Sequence, residues 1–226
     1  MGWAVFFDFD GTLTTADLVE GLLRHFKSVA SQSLIRSIKR GELSLRAGIA
    51  LLYDLLPTSG RQDYQDWVMD AAVLRPGLDH LLTSLRARGI PGYVLSNGLD
   101  AFIEPVVAGR FPAANVYCNR ADWRGPRLRV QWPFPCHPTI CEENCGLCKP
   151  TVMKQLTPTG DLTVLVGDGI TDVPGALQAD LVFARDHLAT YLSRRQRPYY
   201  PYHTFDDVHA QLWPLINGEQ EGVLVS

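Results

Sequence analysis

Two kinds of hydrophobic pattern alternate along the chain. Short, nearly continuous apolar runs at 3–7, 91–95, 116–118, 162–166 and 181–184 end in polar turns, several rich in glycine, and predict buried strands. Between them apolar residues recur every three or four positions, the spacing of one helix face. Leu18, Leu22 and Phe26, then Leu45, Ile49, Leu52 and Leu56, then Tyr64, Trp67 and Val68 predict helices within residues 17–74. Asp17 is placed to cap the first, and Pro57 ends the second. Further helices are predicted at 78–88, opened by Pro76-Gly77 and closed by Gly89, at 100–108, from Lys149-Pro150 to Leu156, after the 162–166 strand, and at 206–215. Leu128, Val130 and Trp132 alternate with polar residues after Arg124-Gly125-Pro126, which reads as a β-hairpin. Residues 218–226 read as a loose tail.

Strands that alternate with helices predict an α/β fold, a parallel sheet covered on both faces. The helical stretch 17–74 interrupts it directly after the first strand. It divides the chain into a core of residues 1–16 and 75–226 and a helical insert of residues 17–74, placed above the strand's carboxyl end as a lid.

Composition narrows the function. With 226 residues, 46% hydrophobic and 20% charged, the chain fits one domain with a smaller insert. A net charge of −3 offers no general attraction for nucleic acid or anionic lipid. No apolar run approaches the roughly 18 residues of a membrane span, and no basic segment precedes a signal-type apolar stretch. A cytoplasmic protein without a nucleic-acid or membrane partner is expected. Cys118 sits in a strand as core. Cys136, Cys141, Cys145 and Cys148 crowd one loop at spacings that leave three readings open: a structural zinc site, reduced buried thiols, or disulfides.

The candidate chemistry lies at the strand ends. Asp8-Phe9-Asp10-Gly11-Thr12 follows the first apolar run, and a chain that turns at Gly11 can bring both carboxylates to one crevice. Open parallel sheets bind ligands there. Such close acids repel unless a cation neutralises them. Ser96-Asn97-Gly98 ends the second strand, and Gly167-Asp168-Gly169-Ile170-Thr171-Asp172 ends the cleanest one. Lys149 opens a helix just before that strand. Taken singly, Ser96 reads as a turn or helix cap and Lys149 as a solvated surface lysine.

Taken in order, DFDGT, Ser96, Lys149 and GDGITD resemble the four motifs of the haloacid dehalogenase-like (HAD) phosphatases. That resemblance implies a Rossmann-like parallel sheet with an inserted helical cap of the type found in the phosphoserine-phosphatase-like branch. It implies Asp8 as nucleophile and Asp10 as general acid and base. Gly11, Thr12, Ser96, Asn97, Gly98 and Lys149 would hold the phosphoryl oxygens. Mg²⁺ would be held by Asp8, the backbone carbonyl of Asp10, Asp168 and Asp172, the last as ligand or just behind. Within the branch the chain looks most like the methionine-salvage phosphatases, through Leu56-Pro57, Tyr117-Cys118-Asn119, Trp132-Pro133, Cys148-Lys149-Pro150 and Phe183-Ala184-Arg185-Asp186. The implied partner is a small phosphorylated metabolite, with a homodimer an open expectation. Phosphoserine is disfavoured: the position expected to supply an arginine for its carboxylate reads Ile49-Ala50, although Arg46 is near. Phosphocholine and phosphoethanolamine remain as alternative esters. A non-catalytic sensor of a phosphometabolite would have no need of paired acids facing an anion.

Overall fold

β1 (Trp3–Phe7) is the central strand of the sheet, and its side chains explain why. Val5 and Phe7 enter one hydrophobic core and Ala4 and Phe6 the other, all of them buried. A strand without a polar face can only be placed between two helical layers. The computed structural model of the chain describes residues 2–141 and 143–218, so residues 219–226 of the expected tail lie outside the described residues.

From β1 the chain passes through an irregular turn, Phe9–Leu13, into α1 (Leu18–Lys39), α2 (Leu45–Asp54) and α3 (Arg61–Ala71). It then forms α4 (Leu78–Ala87), β2 (Gly92–Leu99), α5 (Asp100–Val107), β3 (Val116–Asp122), β4 (Arg129–Gln131) and α6 (Lys149–Leu156). β5 (Leu162–Gly167), α7 (Val173–Ala176), β6 (Leu181–Ala184), α8 (Asp186–Arg194), β7 (Tyr200–Pro201) and α9 (Phe205–Ile216) complete it.

The sheet order is β4-β3-β2-β1-β5-β6-β7, parallel throughout except for the β3–β4 hairpin. Leu81 and Leu85 of α4, Phe102 of α5 and Val208 of α9 pack on the Phe7 face. Val152 of α6, Ala176 of α7 and Leu188 of α8 pack on the Phe6 face. The α/β expectation is borne out. Because β2 lies on one side of β1 and β5 on the other, the chain reverses its direction of travel across the sheet at β1. The carboxyl end of β1 is therefore the topological switch point, where such sheets open a crevice.

The segment holding α1 to α3 leaves and rejoins at one place. Thr14 bridges to Leu74, with Thr15 N–H donating to Val73 O at 2.9 Å and Arg75 N–H to Leu13 O at 2.8 Å. Asp17 caps α1 as expected, accepting from Glu20 N at 2.7 Å. α1 kinks at Lys27, whose φ of −143° is not helical.

Several elements differ from expectation. β2 continues beyond Leu95 to Leu99 through a bulge between Ser96 and Leu99, so the predicted end is an irregular stretch of strand. β3 extends past Cys118 to Asp122 because its last residues pair with β4. α8 was not predicted, although Leu188 and Leu192 are four apart and fully buried. The two residues of β7 are too few to show any period.

Candidate active site

The first strand delivers its acids by stopping one residue early. Asp8 N–H still bonds Val166 O at 3.0 Å, continuing the ladder, but the chain then turns and its carboxylate enters the crevice, 5% exposed. Gly11 makes the turn, with φ of 76°, and a Cβ there would collide with the Asp168 carboxylate. Position 11 thus needs glycine twice, for its backbone angle and for the approach of a functional acid.

Asp8, Asp168 and Asp172 converge. One carboxylate oxygen of each lies within 4.8 Å of the others, although β1 and β5 are distant in sequence. Lys149 Nζ donates to Asp8 Oδ1 at 2.6 Å and to Asp172 Oδ1, and it is 1% exposed. This is no solvated lysine. Asp172 is fully engaged, since its other oxygen accepts from the amides of Asp168 and Gly169, each at 3.0 Å. Thr12 Oγ donates to Asp168 Oδ1 at 2.8 Å. Oδ2 of Asp8 and Oδ2 of Asp168 accept no hydrogen bond from the described residues.

One lysine cannot balance two buried acids and a half-buried third. Burial, then the charge of Asp172, raises the Asp8 carboxyl well above its ordinary range even though Lys149 opposes the shift. The same two causes raise Asp168 to about 7. Burial would lower the Lys149 ammonium, but Asp172 and Asp8 outweigh it and hold the group protonated. The arrangement lacks positive charge at the two unbonded oxygens, and hard oxygen donors suit Mg²⁺. Opposite ligands of Mg²⁺ stand about 4.2 Å apart when each Mg–O bond is about 2.1 Å. The group is close to that spacing.

Asp10 stands apart from this group. Its Oδ1 accepts from Leu18 N at 2.8 Å and Val19 N at 3.4 Å, so the carboxylate sits at the start of α1. Burial, then Asp17, then Asp8 raise its pKa well above the usual range. A carboxyl whose protonated form is favoured in this way can give a proton away.

Gly11 and Thr12 also make local bonds. Gly11 N–H donates to Ala16 O at 3.3 Å and Thr14 Oγ at 3.2 Å, and the Thr12 hydroxyl positions Asp168. Both serve the turn and the acids, because a chain reversing this tightly satisfies its amides locally. Ser96 does the local work of a cap, accepting from Gly98 N at 3.0 Å, while also lining the cavity beside Asn97 and Gly98. Asn97 Oδ1 accepts from Leu147 N at 2.9 Å, and its carbonyl accepts from Asn119 Nδ2 at 2.8 Å. Its Nδ2 is buried with no partner among the described residues.

Arg75 and Tyr53 were missed. Arg75, 6% exposed, donates to the carbonyls of Thr12 (2.9 Å), Gly11, Thr14 (3.2 Å) and His203 (3.2 Å). It is a guanidinium spent wholly on backbone, binding the Asp8 turn to the base of the inserted helices. We expect Arg75→Met to cost about 2–4 kcal/mol, because it strands buried carbonyls, and to lower kcat. Urea unfolding with parallel phosphate-release assays checks this, and unchanged stability would refute the clamp. An isolated arginine after a helix gives no sequence signal of such a role. The Tyr53 hydroxyl is buried without a partner among the described residues, and it lines the cavity. Its place on the same helical face as Ile49 was the available signal.

The cavity itself measures about 1100 Å³. Asp8, Asp10, Ser96 and Asp168 line it together with Leu23, Ile38, Leu45, Ile49 and Leu52 from α1 and α2, and the charged Glu20 and Lys39 of α1 also reach it. Arg46 is turned away, its guanidinium 5.1 Å from the centre of the Trp132 ring.

An acidic cluster at the switch point of a parallel sheet, anchored by a buried lysine, defines a class of hydrolase, and residues 5–177 match the haloacid dehalogenase-like hydrolase family. The chain belongs to that family. It is 35% identical over 216 residues to 2-hydroxy-3-keto-5-methylthiopentenyl-1-phosphate phosphatase of Bacillus cytotoxicus, covering 96% of this chain and 98% of that one. The same figures hold for the Bacillus thuringiensis protein of that name. Among solved structures, a phosphoserine phosphohydrolase-like protein from Francisella tularensis superposes with a TM-score of 0.69 at 17% identity, over 93% of this chain and 99% of that one. Phosphoserine phosphatase from T. onnurineus superposes at 0.68 and 15% identity, over 92% of each chain. These two establish likeness of fold. The family, hydrolase class and resemblance expected from the sequence are borne out. Among the described residues, no helix is long and apolar enough to cross a membrane.

Proposed function

We propose that the chain is a Mg²⁺-dependent phosphomonoesterase that hydrolyses 2-hydroxy-3-keto-5-methylthiopentenyl-1-phosphate, the ester in the names of its Bacillus relatives. The observation that carries this reading is a single cavity lined both by the acids at the strand ends and by aliphatic side chains of α1 and α2. The acids suit a phosphoryl group with its cation, and the aliphatic side chains suit a thioether tail. Phosphoserine would leave Leu23, Ile38, Leu45, Ile49 and Leu52 facing an ammonium and a carboxylate, a poor exchange. Ile49 lines the cavity and Arg46 stacks on Trp132 instead, so the insert's nearby arginine does not serve a substrate carboxylate.

Asp8 is the nucleophile. A carboxylate oxygen of Asp8 bonds to phosphorus as the ester P–O bond breaks, and Asp10 protonates the departing alkoxide. Asp10 then takes a proton from water as the water oxygen attacks phosphorus. The P–O bond to Asp8 breaks, and inorganic phosphate leaves. Lys149 holds the Asp8 carboxylate in register and offsets the acids that would otherwise repel the anionic ester. Ser96 Oγ and the Asn97 side-chain amide supply donors beside it. Asp8 and Asp168 would hold Mg²⁺, which would supply charge neutralisation at the phosphoryl oxygens. Residues 17–74 act as a cap over a core of residues 1–16 and 75–226, and Asp10, bonded to the first amides of α1, ties the acids to that cap.

EDTA is expected to silence the enzyme and Mg²⁺ to restore it. A phosphate-release panel should favour the thioether ester over phosphoserine, phosphocholine and phosphoethanolamine by at least about a hundredfold in kcat/KM. A preference of that size for phosphoserine would overturn the substrate. Full turnover in EDTA would overturn the cation.

A further inference from the structure

The cysteine loop was left with three readings, and its folded geometry separates them. We propose that Cys136, Cys141, Cys145 and Cys148 form a structural zinc site that fixes the segment leading into Lys149. The inference does not rest on the proposed substrate or on the acidic cluster's cation.

Four thiolates around zinc at about 2.3 Å define a tetrahedron with edges of about 3.8 Å. Here Cys136 Sγ lies 3.9 Å from Cys141 Sγ, and Cys141 Sγ lies 3.6 Å from Cys145 Sγ. All four sulfurs fall within 4.8 Å of one another, and all four cysteines are free. Two disulfides would collapse that tetrahedron into two pairs. Cys141, Cys145 and Cys148 are buried and Cys136 is half-buried, so the set is closed, with four ligands and no open position. Closed sulfur sets are structural rather than catalytic.

The surroundings favour thiolates. Cys145 N–H donates to Cys136 Sγ at 3.4 Å, and Thr151 Oγ donates to Cys148 Sγ at 3.1 Å. Cys148 is also the N-cap residue of α6, where a helix favours negative charge. Polar hydrogens aimed at sulfur would be wasted on an apolar knot.

Such a link is needed at this point of the fold. The described residues between β4 and α6 contain no helix or strand, and the hydrophobic cluster at the sulfurs consists only of the cysteines themselves. Loops of this length in a compact domain require some device to hold them. This one touches three parts of the active-site surroundings. Leu147 N–H holds Asn97 Oδ1, Asn144 O accepts from Arg46 N at 3.3 Å at the start of α2, and Cys148 directly precedes Lys149. A metal here would lock the lysine and the Asn97 side chain together while leaving both free of direct ligation.

The test uses the intact chain, purified without chelator under reducing conditions and dialysed. Elemental analysis should find about one zinc per chain, retained through an EDTA treatment that removes Mg²⁺ and stops turnover. Exchange with Co²⁺ should give a thiolate-to-cobalt charge-transfer band and tetrahedral ligand-field bands, which carboxylates cannot produce. Cys145→Ser should lose most of the zinc and melt several degrees lower, with kcat reduced but its Mg²⁺ concentration dependence unchanged. Should that variant fail to fold, the cobalt spectrum of the unaltered protein decides. Reduced protein that takes up neither zinc nor cobalt stoichiometrically would overturn the inference. So would metal-free protein whose mass is lower by the hydrogens lost to disulfides.

Discussion

Asp8→Asn is expected to lower phosphate release by at least about four orders of magnitude while leaving the fold intact. An amide oxygen can still accept from Lys149, as Asp8 Oδ1 does at 2.6 Å, so the local geometry survives. It cannot act as the nucleophile that splits the reaction into two steps. The stability consequence has a definite sign. In the metal-free protein the Asp8 pKa is raised, by burial and then by Asp172, so near neutral pH its ionised form costs stability. Removing that charge should leave the metal-free melting temperature level with or above that of the unaltered chain. Turnover within about tenfold of the original would refute the covalent role. A fall in activity accompanied by loss of far-UV circular dichroism would show that Asp8 is instead needed to fold.

Much of this site was legible because its parts lie at the ends of patterned elements. An apolar run that stops at Phe7 and a second that stops at Gly167 announce where the acids emerge, and a parallel sheet sets those ends side by side. Lys149 could be placed at a helix start, but its burial could not be foreseen, since it comes from α7, where Gly175 lies against its Cβ, and from the acids at the ends of β1 and β5. The partners that Gly11 and Thr12 take were hidden for a related reason. Sequence shows that a turn has amides and a hydroxyl to offer, but the folded turn decides who receives them, and here Ala16 and Asp168 do. Arg75 was illegible altogether. Its four acceptors are backbone carbonyls from two distant segments, and carbonyls carry no residue-type signal.

The cysteines illustrate the opposite limit. Their spacing permitted three chemistries, because one-dimensional separation does not fix how a loop closes. Only the convergence of sulfurs on tetrahedral edges distinguishes them.

Lys149→Met is expected to have the other large effect, and its pattern separates structure from chemistry. The ammonium is 1% exposed and bonds both Asp8 and Asp172, so its loss leaves buried carboxylates without a cation. Breaking a buried pair in this way costs about 3–5 kcal/mol, and kcat should fall by about a thousandfold. Mg²⁺ should offset part of the stability loss, since an ion at Asp8 and Asp168 supplies positive charge where the lysine did. Its addition should therefore raise the melting temperature more for Lys149→Met than for the unaltered chain, while activity stays low because register at Asp8 is not restored. Thermal melts with and without EDTA, alongside phosphate release, give both readings. An equal Mg²⁺ shift in the two proteins would mean that lysine and cation neutralise different groups. Lys149 would then be a packing element, not the counter-charge of the acid cluster.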